Sequence, residues 1–102
     1  MAIVFSQTLP EGTPIQMLDA VTEEMGADSD PPEGMIVHTH YEEGGRVKIL
    51  DVWESVEAHD KFAEGRLGPA FRKIAEQHGM DVTQTPEPET TTIEVHRVVR
   101  GR

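Results

Sequence analysis

Residues 47–71, VKILDVWESVEAHDKFAEGRLGPAF, decide how the rest of the chain is read. The first eight are rich in Val, Ile, Leu and Trp and contain no breaker, the composition of a β-strand. Ser55 stops that run and can accept a hydrogen bond as an N-cap, while Glu57 places a negative charge where the helix dipole favours it. His59, Phe62, Ala63 and Arg66 then recur at helical spacing, which predicts a short amphipathic helix. Gly65 and the pair Gly68-Pro69 are expected to break it. Pro69 suits the first turn of a second segment carrying Ala70, Phe71, Ile74 and Ala75.

Working outward, residues 2–8 read as a first strand with Ile3 and Phe5 on one face and Val4 on the other. Thr13-Pro14 is a helix start, with the Thr13 hydroxyl as the cap, followed by the stripe Ile15, Leu18, Val21 and Met25 and ended by Gly26. The acidic loop 27–34, ADSDPPEG, leads to a strand over 35–41. Gly44-Gly45 supplies the positive φ angles of a tight hairpin turn into a strand over 46–54. Residues 82–90, VTQTPEPET, read as extended and partly mobile. A last strand over 91–99 alternates Ile93, Val95 and Val99 against Glu94, His96 and Val98. The order β-α-β-β-α-β is the split arrangement of a ferredoxin-like α+β fold, an antiparallel sheet with its helices on one face, here one domain over 1–102.

That architecture leaves one side of the sheet bare. On the third strand Val47, Ile49 and Trp53 point one way and Leu50 and Val52 the other. On the second, Met35 and Val37 are expected on one side and Ile36 on the other. A strand with one wet face alternates apolar and polar residues. Two-sided apolar strands call for a second covering layer, and a homodimer is the simplest source of one.

The chain carries nineteen acidic against nine basic residues, a formal charge of -10. Nine of the acids precede the first base, Arg46. So negative a surface repels phosphate backbones, and no nucleic-acid partner is expected. With no cysteine there is neither a disulfide framework nor thiolate chemistry. No apolar run is long enough to cross a bilayer, so the expectation is a soluble, cytoplasmic protein without membrane contact.

Residues 52–62, VWESVEAHDKF, resemble the Trp-Glu-Ser strand-to-helix signature of the antibiotic biosynthesis monooxygenase-like group in the dimeric α+β barrel superfamily, and RLGPAF is similar to a segment of its small bacterial members. The resemblance implies a homodimer whose sheets pack face to face, with a cavity between each sheet and its own helices. The group includes cofactor-independent oxygenases, haem degraders, isomerases and proteins with no known activity. Several of the oxygenases and haem degraders use a cavity asparagine, and this chain contains no Asn. The haem degraders also place a ligating histidine well along the helix after the Trp, where this chain has Phe62 and Ala63, with His59 a turn earlier. No haem and no other cofactor is therefore expected.

The residues that carry chemistry lie on the hairpin. His38 and His40, at i and i+2 on a strand, point the same way. They could ligate a metal only with a third residue that the sequence does not place, so no metal site is assigned. Asp51 interrupts an otherwise apolar strand and needs partners if it is buried. A two-residue turn at Gly44-Gly45 sets Glu43 opposite Arg46, His40 opposite Ile49, His38 opposite Asp51 and Ile36 opposite Trp53; a four-residue loop over 42–45 slides the pairs but keeps the face, whereas a three- or five-residue loop puts the histidines on the face opposite Trp53. The resemblance implies that this shared face is the helix-covered, cavity-facing one, which makes His38 and Asp51 the candidate catalytic pair for proton transfer, in a ligand pocket lined by His38, His40, Asp51, Trp53, His59, Phe62 and Phe71. The plainer readings are that Trp53 only packs, that Asp51 bonds to backbone or to an arginine, and that the histidines line a polar cavity. His78, at a helix end, and His96, on the last strand, have no assigned role. There is no nucleophile elbow and no phosphate loop.

Two functions fit. One is a small-molecule-binding, monooxygenase-like enzyme without cofactor, acting on an aromatic or polyketide-like compound. The alternative is a non-enzymatic dimeric barrel with a structural or regulatory role. A polar, solvent-connected pocket speaks for the first, and a cavity filled by Phe62, Phe71 and Met17 for the second.

Overall fold

A computed structural model describes residues 1–81 and 86–101. The elements run β1 (Ile3–Thr8), α1 (Ile15–Met25), β2 (Met35–Glu43), β3 (Arg46–Trp53), α2 (Val56–Phe62), a π turn (Ala63–Leu67), α3 (Gly68–Gln77) and β4 (Glu89–Glu94). The four strands form one antiparallel sheet in the order β2-β3-β1-β4, the ferredoxin-like topology. The helices lie on a single face.

The hairpin follows its turn. Gly44 and Gly45 have φ of 61° and 77°, values that cost a Cβ-bearing residue energy. The two-residue loop pairs Glu43 with Arg46, and the ladder runs back through His40–Ile49 to His38–Asp51. Beyond that pair the register shifts by one residue. Met35, not Ile36, stands opposite Trp53, because a bulge between Met35 and Val37 adds a residue to β2. The expected grouping of Met35 with Val37 is corrected accordingly: Val37 faces outward, and Met35 turns inward to the same side as His38.

Three further expectations change. The Thr13 hydroxyl does not cap α1; it donates to the Pro10 carbonyl at 2.8 Å, and Pro14 occupies the cap position in extended conformation. The helix after Ser55 does not break at Gly65 or Gly68. Phe62, Ala63, Leu67 and Gly68 all hold right-handed helical angles, and the Gly68 amide reaches back five residues to the Ala63 carbonyl. Pro69 has no N–H to donate and would crowd the carbonyl four residues back in a regular helix; one wide turn accommodates it without ending the helix. Gly68 suits the spot, since a Cβ there would sit 3.1 Å from the Ala63 oxygen. Finally, β4 spans Glu89–Glu94 instead of 91–99. Of its expected apolar residues it holds only Ile93, while Val95 lies past its end, its amide donating to the Ala2 carbonyl. Of the 82–90 stretch, residues 82–85 lie outside the described residues, and Glu89 and Thr90 open β4.

Ser55 caps α2 as its position predicts, accepting from the Ala58 amide at 3.1 Å, and Gly26 closes α1 in the left-handed conformation. The interior divides into three apolar clusters. Ile3, Trp53 and Phe62 join β1 and β3 to α2; Met17, Val21, Ala70, Ile74 and Ala75 join α1 to α3; Leu9, Leu18 and Val47 close the end under α1. Each large apolar side chain buried there contributes about 1.5–3 kcal/mol. Among the described residues, no helix is long and apolar enough to cross a membrane.

Candidate functional site

Between the sheet and its helices lies a cavity of about 320 Å³. Its floor is the inward face of the sheet, with Phe5 and Gln7 from β1, Met35 and His38 from β2, and Ile49 and Asp51 from β3. Leu18, Val21 and Met25 of α1 form one wall, and His59, Phe62 and Leu67 the other. The loop after α1 contributes Ala27, Asp28 and Pro31. Arg66 secures that loop by donating to the Met25 and Asp30 carbonyls at 2.8 and 2.9 Å.

The polar groups are joined end to end. The indole N–H of Trp53, a wholly buried residue, donates to Asp51 Oδ2 at 3.3 Å. Asp51 Oδ1 lies 2.7 Å from His38 Nδ1, His38 Nε2 lies 2.9 Å from His40 Nδ1, and His40 Nε2 lies 2.8 Å from Asp19 Oδ1 on α1. Five side chains from two strands and a helix thus form one hydrogen-bonded line. It runs from the buried indole through a carboxylate whose side chain is 6% exposed to one that is 60% exposed.

Of the residues picked out from sequence, His38, Asp51, His59 and Phe62 line the cavity. Trp53 and His40 stand behind that lining: Trp53 holds Asp51 from within the core, and His40 links His38 to α1. His59 is packed against the ring of Phe5, with centroids 4.3 Å apart, and meets the Trp53 ring edge-on at 5.5 Å. Its Nδ1 lies 3.2 Å from Asp60. Phe71 is placed elsewhere. It packs on the α1–α3 cluster and faces a different cavity beside Leu9 and Met80, because α3 continues past the π turn and carries it off the first cavity. His78 caps α3 and His96 is exposed.

Sequence reasoning missed Asp19, Phe5 and Met35. Asp19 carries no local sign of its role, since it reaches His40 only when α1 packs across β2. Met35 depends on the bulge. Phe5 was legible as an inward residue of β1 but not as the ring on which His59 rests. Among the described residues no three or more His, Asp or Glu converge as a metal cage.

The same chain path occurs in known structures. A conserved protein from Methanosarcina mazei superposes with a TM-score of 0.62 at 16% identity, over 91% of each chain. SnoaB, a cofactor-independent oxygenase from Streptomyces nogalater, does so at 0.61 and 15%, over 96% of each. A candidate antibiotic biosynthesis monooxygenase from Deinococcus radiodurans matches at 0.61 and 13%, over 100% of this chain and 99% of its own. The chain has the fold of the antibiotic biosynthesis monooxygenases. No family model matches the sequence, and neither does any curated protein.

Proposed function

We propose that the protein binds a planar aromatic or polyketide-like compound in the sheet–helix cavity and takes a proton from it, as a monooxygenase-like enzyme without cofactor. The observation that carries this reading is the cavity itself, which has apolar walls and, at its floor, a histidine held by a buried carboxylate. A volume of about 320 Å³ falls at the small end of ligand pockets, and such pockets pair apolar walls with a few placed polar groups. Phe62 forms part of the wall, while Met17 and Phe71 belong to the α1–α3 core, so these three side chains do not fill the space. Removing a proton from an acidic C–H beside an aromatic ring leaves a carbanion able to reduce dioxygen. A CH₂ group and O₂ then become C=O and H₂O, and the atoms balance with dioxygen as the only co-reactant. The likeness to SnoaB supports this choice among proton-transfer reactions.

The reading includes a homodimer. On the outer face Val37, Leu50 and Ile93 are 44%, 36% and 59% exposed, next to Val4 and Val52, an apolar patch at the centre of a four-stranded sheet. The face-to-face sheet packing implied by the Trp-Glu-Ser resemblance covers that patch with a second copy.

Trp53, the chain's single tryptophan, reports the test. Titration with 1,8-dihydroxyanthraquinone and with anthrone should quench its fluorescence saturably at one ligand per chain, and anthrone should consume dioxygen. His38→Gln should keep the far-UV spectrum and lose the oxygen uptake. Absence of saturable binding by either compound overturns the assignment and leaves the non-enzymatic barrel.

A further inference from the structure

The line of side chains has more contacts than its neutral rings have hydrogens. Three contacts, Asp51–His38, His38–His40 and His40–Asp19, each need one hydrogen between two acceptors. Two neutral imidazoles bring two. With both carboxylates ionised, the line closes only with a third proton, which resides on either ring: Nε2 of His38 or Nδ1 of His40, 2.9 Å apart. Without it the two charge-assisted bonds to Asp51 and Asp19 are the stronger ones and persist, each taking one imidazole hydrogen. The bond between the rings is then lost, and His38 Nε2 is left with a bare lone pair.

We propose that His40 and Asp19 form a proton outlet for His38, so that the four residues store and release one shared proton between the cavity and the surface. In the two-proton state, with the bond between the rings lost, His38 turns Nε2 away from His40 toward the cavity and accepts a hydrogen from a bound acid. The imidazolium so formed remakes the N–H···N bond, His40 Nδ1 takes that proton while its Nε2–H passes to Asp19, and Asp19 gives it to water. One proton enters and one leaves, exchange of His40 with water then returns it to the Nε2–H tautomer, and no oxidant or co-reactant takes part. His40 and Asp19 are positioning residues in this scheme; neither lines the cavity. The groups facing the pair are Asp51 of β3 and Asp19 of α1 in direct contact, with His59 of α2 and Asp28 of the α1–β2 loop on the same cavity. The outlet depends on the proposed function only for the identity of the acid it drains.

Nuclear magnetic resonance of the ligand-free, ¹⁵N-histidine-labelled protein tests the outlet separately from any substrate. Stepped from about pH 5 to about pH 8, where histidine changes charge, His38 and His40 should gain and lose a single ring proton together, with a scalar coupling across the N–H···N bond in the protonated form. Asp19→Asn changes a side chain on the surface. Its amide donates to His40 Nε2 and completes the line with two imidazole protons, so both rings should hold fixed neutral tautomers over the same range. Asp19→Glu should restore the shared proton. The proposal is overturned if the two rings titrate independently, each taking its own proton, or if Asp19→Asn leaves His38 unchanged. A protein that passes this test yet binds no anthraquinone retains the outlet and loses the assigned substrate.

Discussion

Replacing Asp51 by Asn and by Leu separates what that side chain does for stability from what it does for chemistry. In Asp51→Leu the indole N–H of Trp53 remains buried without an acceptor. Such a donor costs about 1–3 kcal/mol, and because the native bond is long at 3.3 Å the lower half of that range applies, about 1–2 kcal/mol. His38, whose side chain is partly open to solvent, can bond to water and adds little. For a domain of about 100 residues each kcal/mol moves Tm by roughly 4–8 °C, so a fall of about 4–16 °C is expected. In Asp51→Asn the amide oxygen still accepts from Trp53, and its NH₂ can donate to His38 Nδ1, which fixes His38 as the Nε2–H tautomer. That ring then donates to His40, and His40 to Asp19, so every contact is made without an extra proton. Tm should stay within about 5 °C of the parent, a change of under 1 kcal/mol, while His38 Nε2, now a donor, no longer accepts a proton and anthrone oxidation is lost. Thermal unfolding followed by circular dichroism, beside ligand titration, reads both effects. As a control, Trp53→Phe removes the orphaned donor, and in that background Asp51→Leu should cost about 1 kcal/mol less. The reasoning fails if Asp51→Leu is as stable as the parent, or if Asp51→Asn falls as far as Asp51→Leu.

Two other perturbations address the outer face and the loop beside the cavity. Leu50→Arg places an unpaired charge in the sheet-to-sheet contact, where a buried, uncompensated charge costs several kcal/mol; sedimentation velocity at micromolar protein should show monomer in place of dimer, and an unchanged dimer would mean that copies meet elsewhere. Gly34→Ala forces a Cβ into left-handed backbone (φ 83°) and to 2.5 Å from the Ala58 Cβ, for a loss of about 2–3 kcal/mol. Ala58→Gly in the same chain should recover the part due to the clash, and full stability in the single variant would show that the loop does not hold its place against α2.

How far the site could be read from sequence depends on where each contact's cause lies. Gly44-Gly45 sits in a two-residue turn that demands positive φ at both positions, and the period of two along a strand carries that constraint from Glu43–Arg46 five pairs back to His38–Asp51 without further information. It stops at Ile36, where the bulge is a property of the paired sheet and the local composition, Met-Ile-Val, gives no sign of it. Pro69 is legible as a disturbance, but the same residue fits either a break or a wide turn. What selects the turn is the packing of Phe62 on one side and of Ala70 and Ile74 on the other, which rewards a single continuous helix. Asp19 is the extreme case. On α1 it is one more acid on the solvent face, and only the docking of α1 over β2 brings it to His40. A turn therefore sets the His38–Asp51 pair, and helix packing sets the Asp19–His40 contact through which, on the proposed reading, that pair exchanges protons with water. Changes to the hairpin should alter whether the chemistry exists, and changes to the α1 contact should alter how fast it resets.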